Sequence, residues 1–216
     1  VFGVGHRLQD SLFSITDKVF ETPLGSLASD GSAVRDLRDA GKRVIAPDDF
    51  PHRSEHSIEF QVLFLRHLFG SHHPVQIVPI LCGSFFSTLR AYTREAYLNA
   101  AGEFLESLRD MLSGEEEDTL VVAGVDFSHI GLKFGHEQPA RALEEEAKAH
   151  DQVLLQCLIH QDGEGFWAES QRVKDRYNVC GFSALACLLE ILPPAQGQVL
   201  DYETWHEAPT RSAGSF

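Results

Sequence analysis

The chain has 216 residues, of which 43% are apolar and 23% charged, enough to bury a sizeable core with the composition of an ordinary globular protein. Thirty-two acidic residues against 18 basic ones leave a net charge of −14, which argues against nucleic acid or an anionic membrane surface as the main partner, since both would be repelled. No apolar run approaches the roughly 18 residues that a membrane-spanning helix needs.

In chain order, short apolar runs rich in β-branched residues recur at 1–4, 42–46, 75–81, 119–125 and 198–202. Most end in Gly, Pro or Asp, the pattern of buried strands. The first run begins at Val1, as though inside a strand, so an N-terminal segment is expected to precede it. Helical patterns lie between the runs, at 32–40, 55–69, 87–111, 136–160 and 181–192. The second carries Ile58, Val62, Leu65 and Phe69 on one face. The third is long for one helix, and a break is expected within it. Strands alternating with helices predict an α/β fold with a mixed, mostly parallel central sheet and helices on both faces. No Pro/Gly/Ser-rich linker interrupts the chain, so residues 1–216 read as one domain. The acidic runs 115–118 and 144–146 read as a solvated loop and an outer helix face. Cys82, Cys157, Cys180 and Cys187 are scattered without a C-x-x-C pair. That reads as reduced thiols, and with no signal-peptide pattern it places the protein in the cytoplasm.

Three segments carry groups able to do chemistry. Ser54-Glu-His-Ser-Ile-Glu-Phe-Gln61 opens the second helix. His56 lies off its apolar face as a candidate metal ligand or base, with Glu59 or Glu55 placed to orient the ring. Thr119-Leu-Val-Val-Ala-Gly-Val-Asp-Phe-Ser-His129 runs from a buried strand into Asp126 and His129, at the carboxyl end of a strand, where open α/β sheets bind ligands. A carboxylate beside an imidazole can fix its tautomer and raise its basicity. Tyr177-Asn-Val-Cys-Gly181 places Cys180 at a helix start, where unpaired N–H groups favour the thiolate that binds metal or attacks. Cys187 reads as core. His6, just past the first strand, is a further candidate lining residue. His72 and His73 read as exposed loop residues without a role.

These segments, with Gly5-His6 and Glu21-Thr-Pro-Leu-Gly25 and with Ser212-Ala-Gly-Ser-Phe216 at the tail, resemble the Memo family in order and spacing over nearly the whole chain. The resemblance implies a fold similar to the class III extradiol dioxygenases. It also implies a pocket in which His56 and Cys180 ligate a metal, copper or iron, and Asp126 and His129 line the same site as catalytic groups. A family histidine in a His-Ala-Gly-Tyr segment would fall upstream of Val1. In the dioxygenases a carboxylate stands where Cys180 does, and the thiolate makes the donor set softer. The resemblance further implies phosphotyrosine-peptide binding in some members and a radical-SAM partner protein in bacterial ones.

Three functions remain open on this sequence. One is a metal-dependent redox protein or oxygenase of unknown substrate. The second is a non-catalytic module binding a peptide, a phosphopeptide or a small anionic molecule, with Arg7 or Arg53 supplying the contacts. The third is a metal-free hydrolase with Cys180 as nucleophile and His129 as base.

Overall fold

The apolar run at residues 1–4 forms strand β1 (Phe2–Val4), buried along its whole length. The computed structural model describes residues 1–70, 74–114 and 119–216, so the acidic run 115–118 and the His72-His73 pair lie outside the described residues. The chain divides into two compact units, Val1–Gly124 and Val125–Phe216.

The first unit continues through β2 (Phe13–Ile15), β3 (Phe20–Thr22), β4 (Gly25–Ser29), α1 (Gly31–Ala40), α2 (His56–Phe69), β5 (Gln76–Ile77), β6 (Ile80–Cys82), α3 (Phe85–Thr88), α4 (Arg94–Gly114) and β7 (Ala123–Gly124). Its central sheet has the order β2-β6-β1-β7. β1 runs parallel to β6 and β7, and β2 antiparallel to β6, giving the mixed, mostly parallel sheet expected. Gly3 pairs with Leu81, and both turn toward α2. Leu81 packs with Ile58 and Val62 of that helix, and the space above Gly3 is filled by Ser57 and Ile58. Residues alternate faces along a strand, so Phe13 points the other way, against Phe85 of α3 and Phe104 of α4 at ring separations of 6.0 and 4.5 Å. Helices thus cover both faces. A smaller sheet, β3-β4-β5, flanks α2.

The second unit holds β8 (His129–Gly131), α5 (Glu144–Ile159), α6 (Gly163–Val173), α7 (Phe182–Ile191), β9 (Thr204–Glu207) and β10 (Ser212–Ser215). Its sheet is antiparallel, in the order β8-β10-β9. Phe166 and Trp167 of α6 pack against Phe182 of α7, and Ile130, Leu143, Ala147, Tyr177 and Ala213 form a second buried cluster.

Several elements differ from the sequence expectation, each for a local reason. The run 75–81 splits at Pro79, which has no N–H to give a ladder; Gln76–Ile77 joins β4 while Ile80–Cys82 enters the central sheet. In 42–46 the N–H groups of Val44 and Ile45 both bond to the Gly41 carbonyl, leaving a single bridge from Ile45 to Phe13. Run 198–202 is no strand: Leu200 is 89% exposed, and the pairing segment is Thr204–Glu207. Helix 87–111 is broken, as expected, between Thr88 and Arg94, and 136–160 begins only at Glu144, beyond Pro139. Helix α6 is not visible in the pattern because Gly163 and Gly165 occupy its first turn; the Asp162 side chain caps it by accepting the Gly165 N–H. No helix among the described residues is long and apolar enough to cross a membrane.

The seat of α2 on the sheet depends on missing side chains. The Ser57 hydroxyl accepts the Val4 N–H at 3.0 Å and donates to the Val4 carbonyl at 3.1 Å. A Cβ at Gly124 would collide with the Ser57 carbonyl oxygen and the Gln61 side chain. Gly124→Ala is therefore expected to destabilise the protein by about 1–3 kcal/mol, the usual range for overpacking a filled site. Urea unfolding followed by circular dichroism would read this as a lower midpoint, and an unchanged midpoint would contradict the close seat of α2.

Candidate functional site

In the second unit two backbone segments are sewn together ahead of α7. The His129 N–H donates to the Tyr177 carbonyl at 2.7 Å, and the Gly181 N–H to the Asp126 carbonyl at 3.0 Å. Asn178, in the left-handed region at φ 50, donates its side-chain amide to the carbonyls of His129 and Phe134 at 3.1 and 3.2 Å. Asn tolerates that conformation better than most residues. Gly181 lets the two segments approach, since a Cβ there would lie 2.6 Å from the Asp126 carbonyl and 2.7 Å from Val125. The result is that Asp126, His129 and Cys180 each offer a ligand atom within 4.8 Å of the others.

The geometry fixes the chemistry of the imidazole. His129 Nδ1 lies 3.0 Å from the Phe127 carbonyl, which can only accept, so Nδ1 carries the proton and Nε2 is the working atom. Nε2 is 3.5 Å from Asp126 Oδ2, longer than a charge-assisted hydrogen bond. The Cys180 thiol is half-buried and 3.7 Å from the Asp126 carbonyl, one residue before the Gly181 cap of α7. Sulfur, imidazole nitrogen and carboxylate oxygen together form a donor set that fits copper or iron. Burial alone would depress the His129 pKa, yet Asp126 and the Cys180 sulfur facing the ring outweigh burial and lift it to about 10. Phe134 and Trp205 close on the same ring edge-on, at 4.9 and 6.1 Å.

In the first unit a second group forms where α2 starts. Glu55 is the N-cap of α2, and its side chain is 4% exposed. It accepts the backbone N–H groups of His6 and His56 at 2.9 and 3.2 Å, and its Oε1 sits 2.9 Å from His6 Nδ1 and 3.4 Å from His56 Nδ1. The two imidazoles stack at 5.4 Å with an interplanar angle of 11°. One carboxylate therefore orients both rings through Nδ1 and directs ligand capacity to Nε2. Glu55, His6 and His56 also satisfy the spacing of a metal-binding group.

The sequence-predicted residues thus fall into two sets. Asp126, His129 and Cys180 are brought together in one unit, and His6 and His56 in the other. Glu59 is exposed one turn along α2, outside both groups, and the carboxylate that orients His56 is Glu55. Asn178, Phe134 and Trp205 are not marked by sequence spacing; the one available signal was an Asn two residues before a Cys-Gly pair.

A histidine whose pKa is raised in the folded state stabilises it fully below the unfolded value and loses that contribution as pH rises through the folded value. In metal-free protein the His129 contribution should therefore be complete below about pH 6.5 and lost by about pH 10. Allowing for solvent screening of the part-exposed pair, wild type should lose about 1–2 kcal/mol relative to His129→Gln across that window. Urea unfolding of both proteins at several pH values checks this; a constant difference between them would remove the charge pairing.

The chain is similar to known proteins over its whole length. The chain is 29% identical to a MEMO1 family protein of Aquifex aeolicus, with all of this chain aligned to 53% of the relative. It is 26% identical to one from Nitrosopumilus maritimus, over 94% of this chain and 63% of the relative. A third, from Thermus thermophilus, is 28% identical over 98% of this chain and 58% of its own length. The chain therefore spans between about half and two thirds of the length of these relatives. The family model described as Memo-like protein matches residues 1–216, and the chain belongs to that family.

Proposed function

We propose that this Memo-family chain is a metal-dependent redox protein or oxygenase in which Asp126, His129 and Cys180 hold the metal. The observation that supports the reading is the convergence of carboxylate, imidazole and thiol donors within 4.8 Å, with Nε2 of His129 already turned toward the other two. Copper or iron bound there would supply one-electron exchange or Lewis-acid activation of a substrate oxygen. The protein's own groups do the rest. The proton that His129 keeps at Nε2 without metal must leave before that nitrogen can ligate, so metal binding would release protons and tighten as pH rises. Asp126 holds the imidazolium when the proton stays. Phe134 and Trp205 restrict water on one side of His129 and give an apolar wall suited to an organic substrate.

Elemental analysis by plasma mass spectrometry, on protein purified without chelators, tests this. Near-stoichiometric copper or iron is expected in wild type, with at least a tenfold loss in Cys180→Ser. Stoichiometric zinc, or no metal in a folded wild type, would remove the redox reading.

A second reading, thiol chemistry without metal, draws support from the contribution of the Cys180 sulfur to the raised His129 pKa. Alkylation of metal-free protein by iodoacetamide should then slow several-fold at Cys180 in His129→Ala at neutral pH. An unchanged rate would leave the thiol without an activating partner.

A further inference from the structure

The second unit buries a carboxylate that the proposed site does not use. Asp151 of α5 is 0% exposed. Three hydroxyls donate to it: Ser128 to Oδ1 at 2.6 Å, and Ser215 and Tyr202 to Oδ2 at 2.5 and 2.8 Å. No Lys or Arg is among these partners. A carboxylate so far from water is tolerable only when its oxygens are supplied with donors, and three hydroxyls do so here. Burial, with the Asp151 charge adding to it, pushes the Tyr202 hydroxyl up to about 12, which keeps its proton available for donation.

What those hydroxyls are attached to matters more than the carboxylate itself. Ser128 stands between Phe127 and His129. Ser215 lies in β10, and its backbone brackets the same residues: its N–H donates to the Ser128 carbonyl at 3.0 Å, and its carbonyl accepts the Phe127 N–H at 2.8 Å. Phe127 in turn supplies the carbonyl that holds His129 Nδ1. Asp151 therefore grips the segment Phe127–Ser128 twice, once through the Ser128 side chain and once through the Ser215 clamp. Asp126 and His129 are the residues on either side of the gripped pair.

We propose that Asp151 is a positioning residue for the Asp126–His129–Cys180 group, acting through Ser128 and Ser215 to hold the Phe127 carbonyl against His129 Nδ1 and so keep Nε2 turned toward Asp126 and Cys180. The proposal deepens the metal-site reading and rests on it for its functional meaning, but its geometry is independent of any ion. Asp151→Asn is the informative change. An amide nitrogen cannot accept from a hydroxyl, so at least one of the three hydroxyls must stop donating to residue 151 and either accept from the amide or turn away, while the side-chain volume stays nearly the same.

The test follows two signals in Asp151→Asn. The first needs no metal: the ring Nδ1 proton of His129, observed by NMR in protein labelled with nitrogen-15 at histidine. Held on the Phe127 carbonyl, it should exchange slowly in wild type and at least about tenfold faster in the variant. The second is Co(II) alone as probe, read by the thiolate-to-cobalt absorption band, with an expected rise in Kd of about 10- to 100-fold, the usual cost of losing an outer-shell partner. Glu169→Gln serves as the control. It removes the carboxylate charge that Glu169 presents to Arg172 and to buried His150, the neighbour of Asp151 on α5, and so loosens the same helices without touching Ser128 or Ser215. It should lower the melting temperature and leave both signals as in wild type. If Asp151→Asn does not fold, Ser215→Ala removes one hydroxyl and is expected to move both signals in the same direction by a smaller factor. An Asp151→Asn protein that melts earlier yet keeps the slow His129 proton and the wild-type Co(II) affinity overturns the proposal. If wild type takes up no Co(II), the metal reading falls while the His129 proton still decides the role of Asp151.

Discussion

Both chemical groups in this protein are organised around a carboxylate withdrawn from water. Charge in such a place is costly unless hydrogen-bond donors surround it. Glu55 meets that demand with two backbone N–H groups and Nδ1 of His6, with Nδ1 of His56 close by at 3.4 Å. Asp151 meets it with three hydroxyls. In each case at least one donor is carried by a residue next to, or identical with, one of the histidines. The demand for satisfaction thereby becomes a positional constraint: a histidine whose Nδ1 is spoken for has one free choice of working atom, Nε2.

Close backbone approach is the second requirement, and glycine supplies it. In the first unit Gly3 and Gly124 leave room for the first turn of α2, which allows the Ser57 hydroxyl to bond both polar groups of Val4. That seat brings Glu55 beside His6. In the second unit Gly181 allows its N–H to reach the Asp126 carbonyl, which draws Cys180 toward His129. Substituting these glycines would change where the donors stand before it changed what they are.

The sequence made the α/β architecture readable because β1, α2 and α7 combine strong periodicity with sharp ends. It failed where local hydrogen bonding overrode apolar content. Gly41 takes the N–H groups of Val44 and Ile45, which limits 42–46 to a single bridge, and Pro79 divides one apolar run between two sheets. Asp126, His129, Cys180 and His56 stood out as candidates in short motifs, and Glu55 was one of two carboxylates named to orient His56. The other supports were not visible. Asn178 acts through a left-handed backbone conformation, and Asp151 through donors from Ser128, Tyr202 and Ser215. None of these is a matter of spacing along the chain; each is decided by tertiary contact.

The donor chemistry of the second unit carries a consequence of its own. A carboxylate and an imidazole alone would make a hard to borderline site, and adding a thiol shifts its preference toward softer or redox-active ions. The same thiol, with no ion present, lies close enough to His129 to favour a charged ring alongside Asp126. A metal ion bound there would therefore compete with protons for one set of atoms. With a net charge of −14 on the chain, the surrounding field favours cations of either kind. What separates them is geometry: a proton on Nε2 needs one nearby acceptor, whereas an ion needs sulfur, nitrogen and oxygen at fixed separations. The supports around Phe127, Ser128, Asn178 and Gly181 fix where sulfur, nitrogen and oxygen stand relative to one another, a constraint that an ion pair between Asp126 and His129 alone would not require.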